Sequence, residues 1–112
     1  MFLKDISFGT TDWDAVEPTE HAGESGVARW RSRQFGSLRV RMVEYSASYR
    51  ADHWCEKGHI VLCLSGALET ELRDGRSFRL EPGMSYQVGD GVDAHRSSTR
   101  TGAVLFIVDL AP

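Results

Sequence analysis

The sequence is poor in the features that announce most functional classes. It has only two cysteines, Cys55 and Cys63, in 112 residues. A secreted chain of this size would use a denser disulfide framework, so two reduced thiols in a cytoplasmic protein are expected. No run approaches the roughly 20 apolar residues that span a bilayer. The opening Met1-Phe2-Leu3-Lys4-Asp5-Ile6 carries an acidic residue where a secretion signal needs an unbroken apolar stretch. An excess of basic charge is missing too: 13 Lys and Arg stand against 16 Asp and Glu, which argues against nucleic acid or a membrane surface as partner. Internal repeats, low-complexity tracts, a phosphate-cradling Gly loop, a Gly-x-Ser-x-Gly elbow and a basic-aromatic RNA motif are all absent.

What is there reads as one globular domain. At 41% hydrophobic and 26% charged residues, the chain has enough apolar mass to offset the entropy of ordering it. Residues 1–26 are rich in Thr, Asp, Glu and Gly and are broken by Pro18. They are expected to form an N-terminal arm packing on the barrel, with one helical turn at 12–16. From Val27 to the end, short segments alternate with Gly, Ser, Asp and Pro signals at the spacing of an all-β domain. The expected strands are 27–34, 38–45, 49–55, 59–64, 67–73, 77–80, 84–88, 95–99 and 104–110, with Asp74-Gly75 as a type I′ hairpin. Many short strands and almost no helix point to a sandwich or small barrel, with 27–112 as the single domain. Two runs, Ile60-Val61-Leu62-Cys63-Leu64 and Val104-Leu105-Phe106-Ile107-Val108, are apolar at every position, as in strands packed on both faces.

Chemistry concentrates in a short stretch. Residues two apart on a strand share a face, so His53 and Cys55 are expected to point together, and Lys57-Gly58 then turns the chain into His59. The spacing His53-x-Cys55-x3-His59 gathers two imidazoles and a thiol, all good ligands for a borderline-soft divalent ion. His95, after a Gly-rich turn, is placed to deliver a fourth ligand from across a barrel. A metal-free barrel with satisfied polar histidines is the bland alternative. Cys55 is open to two readings, ligand or small buried hydrophobe. Cys63 reads as core, and His21 as solvent-facing in the polar arm.

These residues resemble the cupin motifs. The first cupin motif is Gly-x5-His-x-His-x3,4-Glu-x6-Gly; counted back from Gly66, its Glu position falls on His59 and its two His positions on His53 and Cys55. Leu80-Glu81-Pro82-Gly83-Met84 looks like the hairpin between the motifs, and His95 matches the second-motif histidine. The resemblance covers about Leu38 to Asp109 and implies a double-stranded β-helix, or jelly-roll barrel. Asp52-His53-Trp54-Cys55 is also similar to the label of a small group of bacterial cupins carrying an Asp-His-Cys-Trp motif, with the last two residues exchanged. The departures are specific: the leading Gly of the first motif is missing, and the usual three-His-one-Glu set has become three His and one Cys.

The ligand set implied is therefore His53, Cys55, His59 and His95, suited to Zn²⁺, with Fe or Ni as alternatives if Cys55 stays off. The implied function is a small metal-binding cupin that binds or transforms a small organic molecule in the barrel. Two further readings stand beside it: a non-enzymatic ligand-binding or sensing module with a structural metal or none, and an enzyme like the three-His Fe(II) dioxygenases. Glu44, within Met42-Val43-Glu44-Tyr45, is a weak catalytic candidate as an inward general base. Tyr45, Tyr49, Trp54 and Tyr86 are candidates for a pocket mouth. Arg29, Arg31, Arg33, Arg39 and Arg41 read as one basic cluster on two paired strands, either a solvated face or a homodimer interface, and less readily an anion pocket.

Overall fold

Alternating patterns in the sequence become two packed antiparallel sheets in the computed structural model, which describes residues 3–112. The strands are β1 (Thr19–Ala22), β2 (Val27–Phe35), β3 (Leu38–Tyr45), β4 (His59–Gly66), β5 (Leu68–Leu72), β6 (Ser77–Leu80), β7 (Ser85–Val88), β8 (His95–Ser98) and β9 (Ala103–Leu110). The larger sheet has the order β1-β2-β3-β9-β4-β7 and the smaller β6-β5-β8. Chain neighbours β6 and β7 lie in different sheets, so the Glu81-Pro82-Gly83 turn crosses the sandwich at one end. The inward positions of both sheets close on Val43, Val61, Cys63, Leu68, Leu80, Ala103, Leu105 and Ile107. This is the period-two burial of a jelly roll, with Cys63 in the core as its strand position predicts. No helix among the described residues is long and apolar enough to cross a membrane.

The first two residues of the arm lie outside the described residues. Its predicted helical turn is a 3-10 turn at Trp13–Ala15, capped by Asp12. The arm also supplies β1, pairing with β2 through Thr19↔Trp30 and His21↔Ala28. His21 is consequently not solvent-facing: it stacks on Trp30 with ring centroids 3.8 Å apart.

Several expectations are corrected. The segment 49–55 is not a strand; it makes isolated bridges at Arg50 and Cys55, and its entry at Ser48 has a φ of 64°. The Asp74-Gly75 turn is not type I′, because Gly75 has positive φ and Asp74 does not. Leu72 N–H donates to Arg76 O and Gly75 N–H to Leu72 O, a three-residue loop with Gly75 supplying the left-handed step. The apolar run of β4 is packed on one face only, with Ile60 56% exposed on the other. On β9 the outer face is partly covered, Trp13 standing edge-on to Phe106 at 6.2 Å.

Sheet register also separates the arginines. Directly paired residues share a face, and the β2–β3 ladder pairs Arg31 with Met42, Arg29 with Glu44, and Ser32 with Arg41. Arg29, Arg31 and Arg33 therefore face outward, while Arg39 and Arg41 face the interior. Arg31 is not a free surface charge: its Nη1 donates to the carbonyls of Trp13, Asp14 and Val16, pinning the 3-10 turn to the sheet.

Candidate metal centre and its cavity

His59 and His95 each open a strand, one in each sheet, and both side chains turn inward. Their Nε2 atoms come within 2.9 Å of each other across the sandwich. Cys55 is set opposite His95 by a reciprocal backbone pair, Cys55 N–H to His95 O at 2.7 Å and His95 N–H to Cys55 O at 3.0 Å. Ligand atoms of Cys55, His59 and His95 all lie within 4.8 Å of one another.

The loop between Cys55 and His59 is held by a second loop. Gly91 N–H donates to Glu56 O, and Gly58 N–H donates to Asp90 Oδ1. A Cβ on Gly58 would stand 2.7 Å from the Asp90 nitrogen, so the approach of the two loops needs glycine there.

His53 is not brought into this group. Its side chain is 77% exposed and its Nδ1–H donates to Asp52 Oδ1 at 2.7 Å. The alternation that would have aligned it with Cys55 does not operate, because this segment is not extended strand. His53 sits instead among the residues lining a cavity of about 380 Å³ that opens over the three-residue group. Glu44 is also displaced from its expected role: it is exposed on the outer face, opposite Arg29, because the inward positions of β3 are Arg41, Val43 and Tyr45.

The second nitrogen of each imidazole has an oxygen near it. His95 Nδ1–H donates to Asp93 O at 2.8 Å, which leaves Nε2 of the neutral ring as a lone pair. His59 Nδ1 is buried without a hydrogen bond, and the nearest carboxylate oxygen to it is Asp109 Oδ2 at 3.9 Å. A proton on His59 Nδ1, favoured by that carboxylate, would leave a second lone pair facing the first. Two nitrogen lone pairs at this separation repel unless a proton or cation lies between them. Two imidazoles and a thiol around that point, the His95 ring held by Asp93 O and the His59 ring facing the Asp109 carboxylate, fit a borderline divalent ion such as Zn²⁺.

Electrostatics favour the ligand forms of His59 and Cys55. Burial, reinforced by the charge of His95 and opposed by Asp109, pushes His59 down to about 4, so the ring is neutral near pH 7. The interaction with His95 draws the Cys55 thiol below its ordinary range, against the opposing effect of burial. His95 is raised in turn, chiefly by Cys55. The Tyr86 hydroxyl, 3.1 Å from His59 Nε2, completes the ring of polar atoms.

Around this centre, Trp30, Tyr45, Tyr49, Trp54 and Tyr86 supply aromatic wall, as expected for the four of them singled out in the sequence. A second cavity of about 300 Å³, toward the small sheet, meets the first at Tyr86 and His95. Asp109, whose side chain is 0% exposed, receives Arg39 through two hydrogen bonds and Arg41 through a third. Burial would raise its carboxyl, but Arg39 and Arg41 outweigh that and hold it below the usual carboxylate range. Asp109 was missed in the sequence, although a signal existed: it continues the inward series Ala103, Leu105, Ile107.

No protein-family model matches the chain, and no curated protein does. Solved structures resemble it in fold. Ectoine synthase from P. lautus superposes with a TM-score of 0.74 at 16% identity, covering 90% of this chain and 76% of that one. A sugar phosphate isomerase of the cupin superfamily from Silicibacter pomeroyi gives 0.73 at 16% identity, over 93% and 76% of the two chains. A cupin-like protein from Thermotoga maritima gives 0.71 at 15% identity, over 86% and 80%. With the two-sheet order, these likenesses show that the chain has the cupin-type jelly-roll fold.

Proposed function

We propose that this small cupin holds one divalent metal ion, Zn²⁺ in the first instance, through Cys55, His59 and His95, and that it binds or transforms a small organic molecule in the adjoining cavity. The observation that carries the reading is the convergence of the three ligand atoms within 4.8 Å at the floor of that cavity. Three protein ligands leave a coordination position open, where a bound metal would supply Lewis acidity to a ligand oxygen or nitrogen. The chain's own groups do the rest. Asp93 O orients His95, the Asp109 carboxylate favours a proton on His59 Nδ1, Tyr86 offers a hydroxyl beside His59, and the aromatic walls keep water from the bound molecule.

Elemental analysis of the untagged protein tests the centre. Near-stoichiometric metal that is lost in His59→Ala and His95→Ala is expected; wild-type protein that stays metal-free after reconstitution with Zn²⁺ overturns it. His53→Ala is expected to retain its metal, since His53 stands outside the group. A non-enzymatic module with a structural metal is separated by Cys55→Ser. Cys55→Ser should lose metal in either case; a large fall in thermal stability along with it marks a structural metal, whereas unchanged stability marks one that serves the cavity, and retained metal removes Cys55 from the ligand set.

The reading also includes residence in the cytoplasm and a homodimer. Cys55 and Cys63 are both free, which fits a reducing compartment. Ile60, Leu64 and Leu110 are exposed on the outer face of the large sheet, apolar area that a second copy would cover. Light scattering of wild type against Ile60→Glu decides it; a wild-type monomer at micromolar concentration refutes the dimer.

A further inference from the structure

The cavity holds one charged group that the protein leaves partly unsatisfied. Arg41 is buried, its side chain 7% exposed, yet among the described residues its guanidinium has one acceptor, Asp109 Oδ2 at 3.1 Å from Nη2. Its Nε is buried with no partner. An unpaired buried donor on a charged group is costly, more so than a neutral one, and native proteins rarely leave one without a use.

The surroundings make the position of Arg41 fixed rather than adaptable. Its guanidinium carbon lies 4.4 Å from the centre of the Trp30 ring, and Trp30 is stacked on its own account by His21 of β1. Arg41 therefore cannot swing out to water without breaking both the indole contact and its bond to Asp109. Asp109 cannot neutralise it alone, because the same carboxylate is shared with Arg39, which takes two of its hydrogen bonds. Two guanidinium charges on one carboxylate leave the Arg39–Asp109–Arg41 group with one positive charge in surplus, and Arg41 lines the cavity together with Cys55, His59 and His95.

Resting on the reading that this cavity takes a small organic molecule, we propose that the molecule is a carboxylic acid, whose carboxylate is bound by Arg41. A single planar monoanion matches the free donors and the surplus charge. Guanidinium donors meet a carboxylate in the geometry they favour most, and the bond is charge-assisted. The remainder of the molecule lies among Trp30, Tyr45, Tyr49 and Trp54, so an apolar or aromatic body is accommodated. Arg41 acts here as the residue that selects the class of ligand, independently of whether the metal is present.

The test compares benzoate with benzamide, and propanoate with propanamide, on the full chain in zinc-loaded and metal-free form, with zinc measured on the same samples. Titrations are followed by tryptophan fluorescence and by the Nε–H resonance of Arg41 in protein labelled with ¹⁵N-arginine. The carboxylates are expected to bind about 10-fold or more tightly than their amides, in line with a charge-assisted hydrogen bond, and to shift the Arg41 Nε–H signal. Arg41→Gln should erase the preference, Arg41→Lys should keep part of it, and Arg33→Gln on the outer face should leave it unchanged. Equal binding of acid and amide, or an Arg41 Nε–H signal unmoved at saturating benzoate, overturns the proposal. The resonance is read in wild-type protein, so the result stands even if Arg41→Gln does not fold. Carboxylate preference without bound zinc sustains this inference while refuting the metal centre; bound zinc without the preference does the reverse.

Discussion

Removing the carboxylate of Asp109 should destabilise the fold more than the loss of any surface ion pair. Asp109 is fully buried, and it accepts two hydrogen bonds from Arg39 and one from Arg41, whose side chains are 21% and 7% exposed. Asp109→Ala leaves two guanidinium groups with no acceptor there, one of them, Arg41, almost fully buried. Breaking a buried pair in this way costs about 3–5 kcal/mol, a large part of the roughly 5–15 kcal/mol that holds a domain of this size together. Glu69→Ala is the internal control. It removes the pair with Arg79, in which the side chains are 57% and 46% exposed, and such pairs contribute only about 0–1 kcal/mol. Urea unfolding of wild type and both variants at pH 7 gives the comparison directly, with the midpoint falling at unchanged slope. Because the folded-state pKa of Asp109 is depressed, its contribution is fully present above the unfolded value near 3.9 and is lost as pH falls through the folded one. The gap between wild type and Asp109→Ala should accordingly narrow below pH 4. If Asp109→Ala and Glu69→Ala cost the same within about 0.5 kcal/mol, the buried network is not what stabilises this face and the reasoning fails.

Two further outcomes are expected. Gly58→Ala forces a methyl group against the Asp90 backbone at 2.7 Å; it should weaken zinc binding by displacing His59, with competition against a chromophoric chelator as the assay and unchanged affinity as the refuting result. Metal should dissociate as pH falls below about 6, because ligand imidazoles and thiolates must be deprotonated to bind; equilibrium dialysis across pH 5 to 8 reads this, and retention at pH 5 would contradict it.

The strand pattern carried most of the fold, because alternation and turn residues report local geometry. It failed at 49–55, where Tyr49 and Trp54 between turn signals suggested a strand but the backbone only touches its neighbours at Arg50 and Cys55. That failure propagated into the site: His53 was aligned with Cys55 by an alternation that does not exist there. The partnership of His59 and His95 was legible because each opens a strand after a turn. The roles of Arg39, Arg41 and Asp109 were not, since they depend on a pairing register between strands about 70 positions apart in sequence. Parity within β3 alone would have set Arg41 inward with Val43 and Glu44 outward, had the buried face been assigned from Val43 rather than from charge.

The position of β9 has a consequence for how the protein is made. The final strand lies between β3 and β4 in the middle of the large sheet, and these two have no ladder with each other. While the chain is being synthesised, β3 and β4 each wait with an open, largely apolar edge until Leu110 has left the ribosome. Asp109 arrives on the same strand, so the sheet and the inner side of the cavity are completed by one late event. The large sheet therefore cannot close before β9 is present, and until then the nascent protein is most exposed to wrong pairing and most dependent on chaperones.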